Sequence, residues 1–473
     1  MFWIWHLPVQ TANLEPTRSC GQWHGAWPVW ALLLTVFLAV LLCYANGLSG
    51  AFQFDDYKVI VDNPAVQSWE AWSTQEGQGI LGLRPLLKVS YVLNALSGWG
   101  VLGFHLVNVW IHLGNCLLVY AVTKQLAQGW LIASSARLAL ASALLFAVHP
   151  VHTEAVTYVC GRSSSLMALF YLAGIWAYGS ARNDEQRARW VHTRLYIWVP
   201  LCFVLALSVK ETAVTFPLAL LACDLGRGIG WRQLLRRQWP VWALLVMGAV
   251  YFLLNDIYFA QMQRSADFNH LVGNVATQSM AFAYLMRQWV LPLWLNIDPD
   301  LPVLHTLASA AGYLVGLGAI GVVTLLCWRK RPWISFALVW AVIHLVPLYL
   351  VLPRLDVAND RQLYLAAWPM GMAVAVEFAR ALQGVHFRWT MGALVLGLGS
   401  LTVARNQDYA TEIALWESTV AQSPQKARVH NNLGYAYKLA GRLEEARREY
   451  TATLQLDPQH IKARYNLRRL DQP

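Results

Sequence analysis

Apolar residues run through this chain in blocks long enough to cross a bilayer, with short polar connectors between them. A membrane helix takes about 20 apolar residues. On that measure the candidate spans are roughly 27–46, 103–124, 135–149, 163–181, 194–209, 211–225, 239–258, 305–328, 333–352, 362–380 and 388–404. A further apolar stretch at 275–295 is expected to lie in the interface or re-enter rather than cross. The fold class expected is therefore all-α, a polytopic membrane helix bundle. The connectors 182–194, 227–237, 329–331 and 380–388 hold much of the Lys and Arg, and cytoplasmic loops are the basic ones. With those four inside, the chain crosses 11 times, N-terminus in and C-terminus out. The loop 47–98, the loop 149–162, the region 258–304 and the loop 353–361 then share the outer face.

Composition agrees with the pattern. Of 473 residues 57% are hydrophobic and only 13% charged, against about a quarter charged in soluble domains. This excludes a water-soluble protein as a whole. The 24 Trp and 19 Tyr suit a chain with long membrane–water boundaries. The net charge of +10 is accounted for by the inner connectors, so no nucleic-acid partner is implied. Seven Cys form no CxxC and lie mostly in apolar segments, which argues against a disulfide framework or a zinc site. Residues 1–26 lack the basic start of a cleavable signal. They are expected to be a cytoplasmic segment ahead of a retained first span.

Candidate chemistry starts just beyond that span, where Phe52–Tyr57 reads FQFDDY. Asp55 and Asp56 would sit at a membrane surface, where a carboxylate is costly without a partner or a task. The plain alternative is a helix cap. On the same outer face topology does not require basic residues, yet Arg84, Lys88, Arg162, Lys210, Arg264, Arg354 and Arg361 fall there. Cations gathered opposite carboxylates suit a lipid-linked phosphate; singly, each could be a headgroup contact. His105, Asn108, His112 and Asn115 share one helical face and must point into the bundle or a hydrated cavity. His112 and Asn115 are expected to bond between helices, and His105 to border the site. His149, His152 and Glu154 in the run HPVHTE do not match a metal motif, so a hydrogen-bonded cap is expected and no metal. Lys210-Glu211 is either a charged tip or a phosphate ligand with its carboxylate.

Residues 405–473 become charged and helical. Asn432 to Tyr437, Gly441, Ala446, Tyr450 and Asp457-Pro458 match the spacing of a tetratricopeptide repeat, a full unit spanning 427–460. Trp416 and Pro424 precede Tyr450 and Pro458 by one period, which marks a preceding half-repeat, and Ile461–Leu470 would cap the array. An array this short should lean on the membrane domain or on a partner.

In this order the segments resemble the GT-C membrane glycosyltransferases. The resemblance is to the O-mannosyltransferase-like branch with tetratricopeptide repeats and its bacterial relatives. The matching segments are Phe54-Asp55-Asp56, Leu83 to Leu86, Phe104 to Asn108 with His112, His149 to Val156 with Gly161-Arg162, Ser208 to Glu211 with Pro217, and Asp360 to Tyr364. The resemblance implies a catalytic domain over 27–404 and a repeat module over 405–473 on the non-cytoplasmic side of a bacterial inner membrane. It also implies a polyprenyl-phosphate-linked sugar as donor, a protein hydroxyl as acceptor, inversion at the anomeric carbon and no cofactor. The base is then Asp55, with Asp56 a supporting or alternative candidate. The donor phosphate would meet Arg84, Lys210, Arg361, Arg264, Lys88 and Arg162, in that order of preference. His105, His149, His152, Glu154, Glu211 and Tyr364 would line the site. A glycolipid or polysaccharide acceptor is the alternative, and a non-catalytic transporter or scaffold a further one.

Overall fold

The computed structural model describes residues 28–74, 83–132, 134–183, 188–224, 231–254, 268–346, 357–382 and 384–470, and among them there is helix and no strand. The longer helices in the first half are α1 (Val29–Tyr44), α2 (Pro85–Ser97), α3 (Gly100–Gly129), α4 (Ser135–Val148), α5 (Arg162–Asn183), α6 (Val199–Val209), α7 (Phe216–Asp224), α8 (Trp231–Leu254) and α9 (Phe268–Val290). The second half contributes α10 (Ala311–Cys327), α11 (Pro332–Leu345), α12 (Trp368–Ala381), α13 (Gly384–Asp408), α14 (Glu412–Gln422), α15 (Ala427–Leu439), α16 (Leu443–Leu456) and α17 (Ile461–Leu470). Helix α3 is central and packs on α1, α4 and α5.

Five helical stretches among the described residues are long and apolar enough to cross a membrane: Trp30–Gly47, Gly100–Gly129, Arg189–Val209, Ala308–Cys327 and Gly384–Asp408. A sixth arises if Ser135–Val148 and Pro150–Val156, bent by 56°, count as one span. Eleven crossings are not confirmed among the described residues, and two of the shortfalls have a local cause. The apolar runs at 211–225 and 362–380 begin in tight 3₁₀ turns, Glu211–Thr215 and Asp360–Gln362, so α7 keeps only 9 residues and α12 only 14. Hydropathy counts such a run as one segment because it does not register where the backbone turns.

The broken starts share one end of the bundle. Gly47 abuts Thr157 and Asn406, and Gly50 abuts His105 and the Tyr409 carbonyl. At the opposite end Arg331 pairs with Glu377 at 3.0 Å, and Arg380 lies over Trp333. The polar stripe of α3 ties the middle together. His112 Nε2 donates to Ala147 O (3.1 Å), so its Nδ1 accepts from the Tyr364 hydroxyl (2.7 Å), while Asn115 donates to Ser165 O (2.8 Å) and to Tyr364 (3.0 Å). These interhelical bonds are the ones the helical spacing predicts.

Helices α14–α17 form the repeat module. Gly434 lies against the Tyr450 ring, with 2.9 Å between a notional Cβ and ring carbons, so the close helix approach inferred from the sequence is present. Gly441 turns the chain between α15 and α16 at φ +74°, a conformation that suits glycine. The module leans on the membrane domain. Asp298, in the loop after α9, is clamped by Lys426 Nζ (2.7 Å) and by the Arg428 guanidinium. Ser423, at the end of α14, accepts from Asn296 Nδ2 (2.8 Å) and the Asp300 N–H (3.1 Å). Asp298→Ala should loosen this dock by about 3 kcal/mol, the low end for breaking a buried pair because Arg428 keeps some access to water. Limited trypsin digestion would read it as faster cleavage at Lys426 and Arg428, with the membrane domain intact.

Candidate active site

The acidic loop is held in a strained shape. Phe54 adopts φ +47°, a left-handed conformation that costs a bulky residue about 1–3 kcal/mol and persists only when its surroundings enforce it. Three contacts do so. The Phe54 ring meets Trp416 of α14 edge-on at 5.1 Å, Gln53 Nε2 donates to Tyr409 O at 2.6 Å, and the Ala51 N–H donates to Ala410 O at 3.3 Å. The start of the repeat module thus buttresses the acidic loop.

The two aspartates have different situations. Asp56 is buried, and its oxygens accept from the Gln53 N–H (3.0 Å) and the Cys160 N–H (2.8 Å). It staples the loop to the segment after α4. Asp55 is half-buried, and its N–H donates to the Tyr158 hydroxyl (3.2 Å). Burial pushes the Asp56 carboxyl up to about 7, with the neighbouring Asp55 charge adding to it, while the hydrogen bonds from Cys160 and Gln53 oppose the rise. A folded pKa above the unfolded one favours the protonated fold. Stability from Asp56 is therefore full below about pH 4 and is lost as pH rises through about 7, at no more than about 1.4 kcal/mol per pH unit. Thermal unfolding of the wild type should show this decline, and Asp56→Asn should flatten it.

The segment 149–162 faces this loop. His149, just past α4, caps the 3₁₀ turn Pro150–His152: its Nδ1 accepts from the Val151 N–H, its Nε2 donates to Trp289 O (3.1 Å), and its ring stacks on Trp289. His152 is fully buried among Phe146, Tyr364 and His112, so it packs the interior, as Tyr364 does. Glu154 Oε2 accepts from the Arg361 N–H (2.9 Å), and Arg361 Nε stands 3.5 Å from Oε1. Gly161 has the Glu154 backbone where a Cβ would be, which excludes any larger residue. Asp360 accepts from the Asn296 N–H at 3.1 Å; burial first, then the Glu154 charge, pushes its carboxyl up, and Arg405 opposes.

The cations divide into two groups. Arg84, at φ +53° ahead of α2, sets its guanidinium on the Glu211 carboxylate through three contacts of 2.8–3.1 Å, with both side chains more than a third exposed. Arg361 is also partly exposed, and Lys88 lies one turn beyond Arg84. Lys210 is buried and donates to Ser164 Oγ at 2.7 Å, turning toward a different partner from its neighbour Glu211. Arg162 is fully buried and donates to Asn108 Oδ1 (2.6 Å), Phe104 O (2.9 Å) and Ser90 O (3.1 Å), with Tyr91 and Phe104 rings against it. It clamps α2, α3 and α5. His105 is buried and donates to Gly50 O at 3.1 Å, beneath the acidic loop. Arg264 and Arg354 lie outside the described residues.

Burial pushes the Tyr158 hydroxyl up, the Asp56, Cys160 and Asp55 charges add to that, and Arg361 opposes. Sequence reasoning missed Arg405, which is buried near Asp360 and Glu154, donates from Nη1 to Asp408 at 2.7 Å and lies over the Tyr409 ring. Among the described residues its Nε and Nη2 have no acceptor. The only signal was an Arg closing an apolar span with an Asp three residues on. Among the described residues no three His, Cys, Asp or Glu side chains are grouped to hold a metal.

These features define a helical membrane protein with carboxylates and paired cations gathered at one end and a tetratricopeptide module docked beside them. The model of the tetratricopeptide repeat matches residues 427–460, the range read from the sequence. Over most of its length the chain is similar to protein O-mannosyl-transferases. One of Caenorhabditis elegans is 26% identical over 91% of this chain and 63% of its own length. One of Drosophila melanogaster is 25% identical over 92% and 56%, and one of Mus musculus 26% identical over 86% and 64%. The chain thus spans about three fifths of the length of these curated relatives. No solved structure matches it.

Proposed function

We propose that this chain is an inverting glycosyltransferase of the GT-C type, moving a sugar from a polyprenyl-phosphate donor to a hydroxyl of a protein. The observation that carries the reading is the strained, buttressed loop that leaves Asp55 half-buried beside Tyr158, with the Arg361–Glu154 pair drawn from neighbouring segments. A hydroxyl is a weak nucleophile, and a carboxylate within hydrogen-bond reach of its proton assists attack on the anomeric carbon. The phosphate leaves as an anion, so it needs fixed cations rather than an acid. A single displacement inverts the centre with one base and no covalent intermediate. Arg361 and Arg84 are the phosphate contacts best placed by exposure, each oriented by a carboxylate partner. Arg162 is spent inside the protein and supports the site indirectly, and Asp56 holds Asp55 in place.

The relatives' names favour a protein acceptor, and the repeat module touches the acidic loop through Trp416, which suits a surface that presents a polypeptide. In this proposal the chain crosses the bacterial inner membrane 11 times, counting the interrupted segments, with the site and the module on the periplasmic face. The test is purified enzyme in detergent with polyprenyl-phosphate sugars and Ser/Thr peptides. Mass spectrometry should find a peptide gaining one hexose as polyprenyl phosphate is released. Turnover of no donor with any acceptor would reject the proposal.

A further inference from the structure

The last turns of α13 are pinned against the segment that carries Glu154. Thr402 Oγ1 donates to Val148 O (2.6 Å), just before that segment, and Asn406 Oδ1 accepts from Thr157 Oγ1 (2.7 Å), just after it. Arg405 lies between these two staples, and α13 packs on both Pro150–His152 and Thr153–Val156. The turn Asp360–Gln362 packs on the same two pieces. Glu154 is therefore met by two elements, one bringing Arg361 and the other Arg405.

Burial makes the second cation matter. Glu154 and Asp360 are both buried, and the Glu154 charge acts on Asp360. Neighbouring carboxylates out of water give up charge unless cations face them. Arg361 Nε stands 3.5 Å from Glu154 Oε1, and the Arg405 charge acts on both carboxylates. Arg405 is itself fixed, with Nη1 on Asp408 (2.7 Å) and its guanidinium over the Tyr409 ring at 5.2 Å. Among the described residues its Nε and Nη2 donors make no hydrogen bond, nor do the Asp360 Oδ1 and Glu154 Oε1 acceptors. The groups left over in this buried space are thus opposite in charge.

We propose that Arg405 is a positioning residue for the donor phosphate: from within the bundle it meets the charge of Glu154, and Glu154 holds Arg361 at the site. The inference rests on the polyprenyl-phosphate reading of that site. Arg405 touches no substrate. Its effect passes through one carboxylate, so it moves phosphate affinity rather than proton transfer at Asp55.

Binding of farnesyl phosphate to purified full-length protein in detergent, with farnesol as the phosphate-free control, tests it through a double-mutant cycle. Arg405→Gln should weaken binding about tenfold and Glu154→Gln by a similar factor, within the range for side chains coupled in one network. The double variant should be no more than about twofold weaker than Glu154→Gln, because the path from Arg405 is already cut. Arg405→Lys, which keeps the charge without the planar fork, should bind within about threefold of wild type. The double variant removes both members of the pair together, so its comparison with Glu154→Gln decides the matter even where Arg405→Gln alone does not fold. Arg405→Gln binding like wild type, a full second loss in the double variant, or Arg405→Lys as weak as Arg405→Gln would overturn the inference and leave the donor reading standing. Wild type that holds farnesyl phosphate no better than farnesol would overturn the donor reading and the inference with it.

Discussion

Asp55→Asn should abolish most sugar transfer while leaving the protein folded and able to hold its donor. The substitution keeps the side-chain shape, and the backbone N–H bond to the Tyr158 hydroxyl does not depend on the carboxylate. The capacity to take a proton goes, and with it the negative charge that acts on Asp56 and Tyr158. General base assistance contributes about 10²–10⁴ in rate, so kcat should fall by that factor, about 3–5 kcal/mol of barrier, with the donor KM within a few-fold of wild type. Asp56→Asn should behave differently: its carboxylate oxygens are both engaged by backbone N–H groups, and its loss acts on the loop's shape and stability. A fully active Asp55→Asn enzyme would leave the reaction without its base.

Arg162→Met should be the most destabilising change in the membrane domain. The guanidinium is fully buried and satisfies Asn108 Oδ1, Phe104 O and Ser90 O at once. Removing one side of a buried charged network costs about 3–5 kcal/mol, because the acceptors left behind keep their desolvation without a donor. Detergent-extracted variant should aggregate on size exclusion or melt well below wild type. Arg84→Met, by contrast, breaks a partly solvated pair with Glu211, worth about 1 kcal/mol or less, and should fold normally while losing donor affinity. If Arg162→Met folded like wild type and lost only donor binding, Arg162 would be a phosphate ligand after all.

The two cases show what could and could not be read from the chain. Helix class, the repeat at 427–460 and the interhelical role of His112 and Asn115 were legible because periodicity and small-residue spacing report directly on packing. Exposure was not. Arg84, Arg162, Lys210 and Arg361 look alike in sequence, yet the fold sends Arg162 inward to three helices and leaves Arg361 partly open. Asp55 and Asp56 are equivalent as letters, and the left-handed Phe54 before them is what points one in and leaves the other half-open. The span count is not confirmed for a related reason: 3₁₀ turns at Glu211 and Asp360 shorten two of the helices without changing hydropathy. The nearness of Arg405 to Glu154 and the Asp298 clamp join residues more than a hundred apart, which no local pattern encodes.

A structure with a polyprenyl-phosphate sugar bound tests the central claim most directly. The account predicts the phosphate on Arg361 and Arg84, the anomeric carbon between it and the Asp55 carboxylate, and an open path from Asp55 to the surface of the repeat module. A donor phosphate seated away from both arginines, with Asp55 on neither side of the sugar, would contradict it.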